Sequence, residues 1–244
     1  RVFGTKGTFL YDDAGARWGF RTLREPGWNS AYVTIEGQFA DYLATNLGKQ
    51  RRRGILQKVR QLSQQPGYGV SDSRRPDEMP LALACAFAVS RSSWKGNLGT
   101  DMAGEESRRL FYDDVTRRLS QRGQVRIWTS CLDRTPMAVQ YNLVSADTMY
   151  LVVNDFNHAY QRQSPGTVLL YQVLERLYEE KPVGRFQFSG DLYDYKSQWA
   201  TGTQAHTTLE LFHDGIYSRF LWWTKKKALP TWRTLRAKVW PVSP

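Results

Sequence analysis

The sequence predicts an α+β fold, a mixed and mostly antiparallel sheet flanked by helices, and three observations carry that prediction. Three runs rich in β-branched and aromatic residues, 125–132, 136–145 and 148–154, follow one another across the short turns Asp133-Arg134-Thr135 and Ala146-Asp147. Connections this short make antiparallel neighbours. After the third run the period changes: Leu170, Val173, Leu174 and Leu177 recur at helical spacing up to Glu180, which marks a helix with one apolar face. That helix leads to Arg185-Phe186-Gln187-Phe188, a short strand reached by a crossover and therefore expected to lie parallel to the strand before it. A β-α-β unit around 148–189 thus completes the antiparallel meander.

The remaining elements follow in chain order. Residues 1–38 hold short pieces around Phe9-Leu10-Tyr11, Trp18-Gly19-Phe20 and Tyr32-Val33-Thr34-Ile35, which Gly, Asp and Pro break into strands or loops without a core of their own. Residues 39–62 read as helical, with Phe39, Tyr42, Leu43 and Leu47, then Ile55, Leu56, Val59 and Leu62, and Gln64-Gln65-Pro66-Gly67 as the stop. A second helix over 77–93 presents Leu81, Cys85, Phe87 and Ala88; a third, with Leu110, Phe111, Val115 and Leu119, ends at Gly123. Residues 207–212 make a last strand. The domain boundary expected from this pattern separates 1–38 from a main domain, 39–244, with a basic C-terminal extension over 219–244.

The segment Asn154-Asp155-Phe156-Asn157-His158-Ala159-Tyr160-Gln161-Arg162-Gln163-Ser164-Pro165-Gly166-Thr167 joins strand to helix. Ser164 suits the N-cap, Pro165 the first helical position, and Gly166 leaves the backbone uncovered. The amides of Gly166, Thr167 and Val168 are expected to lack partners within the helix and to sit at the positive end of its dipole, which suits a pyrophosphate. A helix that is simply well capped would carry the same residues.

A wider set of motifs distinguishes these readings. Ser93-Trp94-Lys95-Gly96 followed by Gly99-Thr100, the 155–166 segment, and Asp194-Tyr195-Lys196 with Trp199 together resemble, over residues 40–201, the BioF2-like or CelD-like branch of the GCN5-related N-acetyltransferase (GNAT) superfamily. That branch is related to the Fem aminoacyl transferases. The resemblance implies a GNAT-like sheet in which two parallel strands splay apart to admit acetyl-CoA or another acyl-CoA as donor. It also implies a phosphate loop of the pattern Gln/Arg-x-x-Gly-x-Gly/Ala. Gln163-Ser164-Pro165-Gly166-Thr167-Val168 matches that pattern in part, with Val168 where a small residue is expected, so the donor-binding role falls on Gln163, Ser164, Gly166, Thr167 and Val168. Related chains normally carry more sequence upstream, which makes 1–38 the expected remnant or end of a first GNAT-like half.

Acyl transfer of this kind needs a neutral amine, donors for the oxyanion and an acid for the thiolate. Asp155, just past the strand end, is the candidate base or ammonium holder, with a turn-capping role as its alternative. Backbone amides near Val153 and Asn154 would serve the oxyanion. Tyr160 and Tyr195 are candidates for thiolate protonation. Lys196, in a loop after the last splayed strand, is placed to meet an acceptor carboxylate or phosphate. Trp94 and Lys95 suggest an aromatic wall with a cation beside it.

Composition bounds the remaining classes. The 244 residues are 41% hydrophobic and carry a formal charge of +11, enough for one sizeable core. The apolar runs are too short to cross a bilayer. No leader is recognisable, although a chain opening at Arg1 leaves a removed leader or longer parent open. Cytoplasmic residence, with peripheral membrane contact as a variant, is the expectation. Cys85 and Cys131 read as reduced core thiols. His158, His206 and His213 lack metal-ligand spacing, so no metal is expected. Neither a G-x-S-x-G elbow nor a Walker loop is present.

The positive charge is local. Lys49, Arg51, Arg52, Arg53, Lys58 and Arg60 lie in a segment with no carboxylate, as do Arg219, Lys225, Lys226, Lys227, Arg233, Arg236 and Lys238. The leading expectation is an acyl-CoA-dependent transferase acting on an amine or hydroxyl of a small molecule, peptide or saccharide. One alternative is a Fem-like transferase using aminoacyl-tRNA, with the tRNA held by the 49–60 and 219–240 clusters. Another is a non-catalytic GNAT-like binding module whose Trp-rich basic end meets an anionic membrane, against a C-terminal helix simply packed on the core.

Overall fold

The structure is a computed structural model and describes residues 2–4, 18–190, 192 and 194–228. In chain order the strands are β1 (Val2–Gly4), β2 (Phe20–Thr34), β3 (Tyr68–Ser73), β4 (Val125–Leu132), β5 (Thr135–Ser145), β6 (Thr148–Phe156), β7 (Arg185–Phe188) and β8 (Gly202–His213). The helices are α1 (Phe39–Asn46), α2 (Lys49–Ser63), α3 (Met79–Arg91), α4 (Trp94–Asn97), α5 (Glu106–Ser120), α6 (Pro165–Glu180), α7 (Asp194–Ser197) and α8 (Ile216–Trp223), with a 3-10 helix over His158–Gln163. The chain divides into two compact units: residues 31–203, and residues 1–30 together with 204–244.

In the larger unit the strand order is β2, β7, β6, β5, β4, β3. The β6–β7 pair is parallel and all the other pairs are antiparallel, as the short turns and the crossover require. Non-glycine residues at positive φ make the turns: Asp133 and Arg134 between β4 and β5, Ala146 between β5 and β6. Helices cover both faces. On one, α1, α2 and α6 pack Tyr42, Leu43, Ile55, Leu170, Leu174 and Leu177 onto Trp128, Ala138, Met149 and Phe186. On the other, α3 packs Leu83, Ala86 and Val89 onto Ile127, Val139, Tyr141 and Val153. Burial on both faces explains why the first six residues of β4 are buried without alternation.

Three sequence expectations change. Residues 39–62 form two helices, because Leu47 turns extended and Gly48, a poor helix former, caps the second. Phe20 of the first piece and Tyr32–Thr34 of the later one belong to one 15-residue strand, β2. The edge strand β3, Tyr-Gly-Val-Ser-Asp-Ser, has no apolar alternation to announce it and is held by its six-residue pairing with β4. The piece Phe9-Leu10-Tyr11 lies outside the described residues.

At the far end of the sheet, Arg126 is buried and donates Nε to Asp72 Oδ1 at 2.7 Å and Nη2 to Glu180 Oε2 at 3.2 Å. Its guanidinium lies 4.5 Å from the Trp128 ring centroid. This ties β3, β4 and the last turn of α6 together.

Leu174 is fully buried between α6 and the sheet. Leu174→Ala should therefore lower stability by about 2–5 kcal/mol, read as a shift in the urea midpoint at unchanged slope.

Candidate functional site

Strands β6 and β7 pair from Thr148↔Arg185 to Leu151↔Phe188, and beyond that the pairing stops. The last link is Ser189 N–H donating to Leu151 O at 3.3 Å. In the same place β6 carries a bulge: Tyr141 faces Val153 and Asn142 faces Leu151, so Val152 is the extra residue. The bulge shifts the alternation. Met149 and Leu151 join the α6 core, whereas Val153 joins the α3 core. A cavity of about 920 Å³ opens where the two strands part. Leu151, Val152, Asn154 and Phe156 line it from β6, Ser164, Gly166 and Thr167 from the start of α6, and Trp94 and Lys95 from α4. Arg51 of α2, together with Ser189, Tyr195, Lys196 and Trp199 after β7, completes the wall.

The start of α6 differs from the sequence expectation. Ser164 occupies the N-cap position in a left-handed conformation, φ 52° and ψ 50°, and makes no side-chain cap. Its Oγ instead accepts from Lys58 Nζ at 2.7 Å, and its carbonyl accepts from the amides of both Thr167 and Val168, at 3.0 and 3.1 Å. Those two amides are therefore occupied, which corrects the expectation of three free donors. Among the described residues the Gly166 amide is the one in this turn without a backbone acceptor. A Cβ at Gly166 would sit 3.4 Å from Phe156 Cδ1, ordinary contact, so protein packing does not demand glycine there.

Val168 is fully buried against Leu62 and Met137, and Tyr160 packs against the same cluster. Val153 is buried under α3. None of these three lines the cavity. Neither does Gln163, whose Oε1 is buried without a hydrogen-bond partner; Asn154 Oδ1 is in the same state but sits on the cavity wall.

Asp155 points to the α3 side of the sheet, its side chain 1% exposed. Oδ2 accepts from Ser90 Oγ at 2.7 Å and Oδ1 from Lys95 Nζ at 2.5 Å. Ser90 Oγ in turn accepts from the Met102 amide at 3.0 Å. The ammonium that Asp155 holds is thus one of the protein's own. Local sequence explains the placement of Lys95: Ser93 Oγ caps α4 by accepting from the Lys95 amide at 3.2 Å, and Gly96 lies so close to the Arg91 carbonyl that any Cβ would collide with it. The short helix is thereby folded back against the end of α3, with Lys95 turned to β6. Tyr112, which no motif singled out, lies nearby; burial first, then the Asp155 carboxylate, push its phenol up.

Lys196 is 6% exposed, and its Nζ donates to Ser189 O at 2.6 Å. The Tyr195 ring is 5.9 Å from that Nζ, and Lys95 Nζ is 6.0 Å from the Trp94 ring. The cavity is therefore flanked by two aromatic-lysine pairs, one before β4 and one after β7. Asp191 and Tyr193, in the same loop as Lys196, lie outside the described residues. Among the described residues no group of His, Cys, Asp and Glu is arranged to hold a metal ion. Sequence reasoning missed Arg51 as a cavity residue and Lys58 as the partner of Ser164. It grouped them by charge, and only the packing of α2 against α6 brings that charge to the α6 N-terminus.

A family model described as acetyltransferase (GNAT) domain matches residues 49–197. Among solved structures, FemX has a TM-score of 0.56 at 12% identity, covering 84% of this chain and 69% of its own. A conserved protein of unknown function from Bacteroides thetaiotaomicron gives 0.55 at 13%, covering 86% and 68%. L-PGS from Bacillus licheniformis gives 0.53 at 12%, covering 86% and 65%. At these identities the likeness is one of fold, and the chain spans about two thirds of each. No curated protein matches the chain.

Two substitutions test this geometry. Lys95→Met, which leaves the buried Asp155 carboxylate without its cation, should cost on the order of 3 kcal/mol, and the Lys95→Met/Asp155→Asn double variant should recover most of it in a urea-denaturation cycle. Ser164→Ala should cost well under the ~1 kcal/mol of a lost N-cap, measured the same way.

Proposed function

The chain belongs to the GNAT acetyltransferase-domain family, and from that premise we propose that it transfers an acyl group, acetyl in the first instance, from acyl-CoA to an amine or hydroxyl of a small-molecule, peptide or saccharide acceptor. The narrower placement we propose is the BioF2-like or CelD-like branch. The observation that carries the reading is the cavity between the parted strands β6 and β7, bounded on one side by the N-terminus of α6.

The residues fit a phosphate-bearing donor. The free Gly166 amide points out at the positive end of a 16-residue helix. Arg51 on the wall and Lys58 on Ser164 add two cations there. On the β6 edge, backbone beyond Leu151 has lost its β7 partner, which leaves amide groups available to an oxyanion near Val152–Asn154. Asp155 acts through Lys95: it holds the ammonium at the cavity wall, where the cation steadies developing negative charge or an acceptor anion. Tyr195 and Lys196 also line the cavity; in this reading Tyr195 protonates the departing thiolate and Lys196 meets an acceptor carboxylate or phosphate. Direct attack by the acceptor asks for no covalent enzyme intermediate.

The basic face of α2 favours one second reading, a Fem-like transfer from aminoacyl-tRNA, because Arg51 on the cavity wall and Lys58 on Ser164 continue into Lys49, Arg52, Arg53 and Arg60 of the same helix.

Calorimetric titration of acetyl-CoA and CoA at two salt concentrations separates the two. The acyl-CoA reading expects saturable binding, weakened at least tenfold by Gly166→Asp, whose carboxylate would face the phosphates while its Cβ meets Phe156 at ordinary contact. Absence of CoA binding by the folded protein, with tRNA binding that falls steeply with salt, would replace it by the Fem-like reading.

A further inference from the structure

In the smaller unit, β1 pairs with β8, and the chain continues from β8 into α8, none of whose residues is buried. One side of α8 is anchored. Trp222 donates Nε1 to Thr22 O at 3.0 Å, and its ring lies 5.5 Å from the Arg21 guanidinium and 4.5 Å from Lys226 Nζ. The other side is apolar and open. Ile216, Tyr217, Phe220 and Trp223 follow one another at i, i+1, i+4 and i+7, one stripe of a helix, and are 90, 74, 60 and 51% exposed. Over 216–223 one side is thus anchored and the other open; residues 229–244 of the C-terminal helix expected over 219–244 lie outside the described residues. Scattered exposed apolar residues need no explanation, but four in one stripe on an eight-residue helix do.

The charge around the stripe selects what covers it. Arg219 sits among these residues and is exposed, as is Lys226 farther along the chain. Lys225 is neutralised by Glu210, at 2.7 Å. From Gly215 to the last residue the sequence has seven Lys and Arg and no carboxylate. Trp232, Arg233, Arg236, Lys238 and Trp240 in that stretch lie outside the described residues. An apolar protein surface would match the stripe without using the cations. A nucleic acid would match the cations and leave Ile216 in water. A bilayer with anionic headgroups matches both, with aromatic rings at the interface and cations at the phosphates. Among the described residues no helix is long and apolar enough to cross a membrane.

We propose that Ile216–Trp223 is an interfacial helix that docks this protein on anionic lipid. Ile216, Tyr217, Phe220 and Trp223 enter the headgroup and acyl boundary, and Arg219 and Lys226 meet lipid phosphates. The proposal stands apart from the acyl-transfer reading, since it uses no residue of the cavity.

The test is flotation of the full chain with vesicles of phosphatidylcholine alone and of phosphatidylcholine with about one third phosphatidylglycerol, at low and high NaCl. The expected result is binding to the anionic vesicles that weakens with salt. Ile216→Ser/Phe220→Ser should lower the partition coefficient by about tenfold or more, and Arg219→Gln by about fivefold. Leu81→Ser, on an equally exposed apolar side chain of α3, should leave it unchanged. Tyr217→Lys provides a single-site reading should the double variant melt early. Absence of flotation with anionic vesicles overturns the proposal, as does equal flotation of wild type and the stripe variants. Binding to tRNA in place of vesicles also overturns it.

Discussion

The ending of the parallel β6–β7 pairing at Leu151 and Phe188 is the constraint on which the candidate site depends. Up to that point the two strands are held by a regular ladder and by cores on both faces. Past it, the bulge at Val152 changes which side chains face which core. A regular β6 would have sent Asn154 to the α3 face and Asp155 to the α6 face. With the bulge, Asn154 lines the opening, and Asp155 reaches Ser90 and Lys95. The cavity and the ion pair that supports its wall thus arise from one inserted residue, and the crossover helix α6 places its N-terminus at the same opening because it must start where β6 ends.

Buried charge is handled differently at the two ends of the sheet. Arg126 is enclosed by Asp72 and Glu180 and stacked near Trp128, a closed arrangement whose cost of desolvation is offset within the fold. Lys95 meets Asp155 and Lys196 meets the Ser189 carbonyl, and both remain part of a cavity wall. Cations kept at a partly enclosed surface act on whatever enters it more strongly than they would in bulk water. Asn154 Oδ1, buried on the same wall without a partner, adds an acceptor whose unmet hydrogen bond is costly unless something in the cavity meets it.

The positive charge of the chain serves separate places. Part of the 49–60 cluster turns to the α6 N-terminus through Arg51 and Lys58. The C-terminal cluster begins on the helix that exposes an apolar stripe. Electrostatics of this kind concentrates polyanions at a surface without choosing among them; the choice lies in neighbouring groups, a free amide in one case and an apolar face in the other.

The meander over β4, β5 and β6, the crossover through α6 and the parallel return to β7 could be read from the sequence, because period and turn length are local properties of the chain. Gly166, Thr167, Ser164, Asn154, Trp94, Lys95, Tyr195 and Lys196 were legible as site candidates from their motifs, and the structure brings these eight to one cavity. Gln163, Val153, Val168 and Tyr160 share the motifs but point elsewhere, since a helix start and a strand send alternate residues to opposite sides. Strand β3 was not legible, having no pattern apart from its partner. Nor were the Lys95–Asp155 pair, the occupied amides behind Ser164, or the open face of α8. Each of these depends on which surfaces meet across long stretches of sequence. Local periodicity determines what an element is and which of its faces is apolar; only tertiary packing decides what that face touches, which amides are used up, and which charge stands beside which.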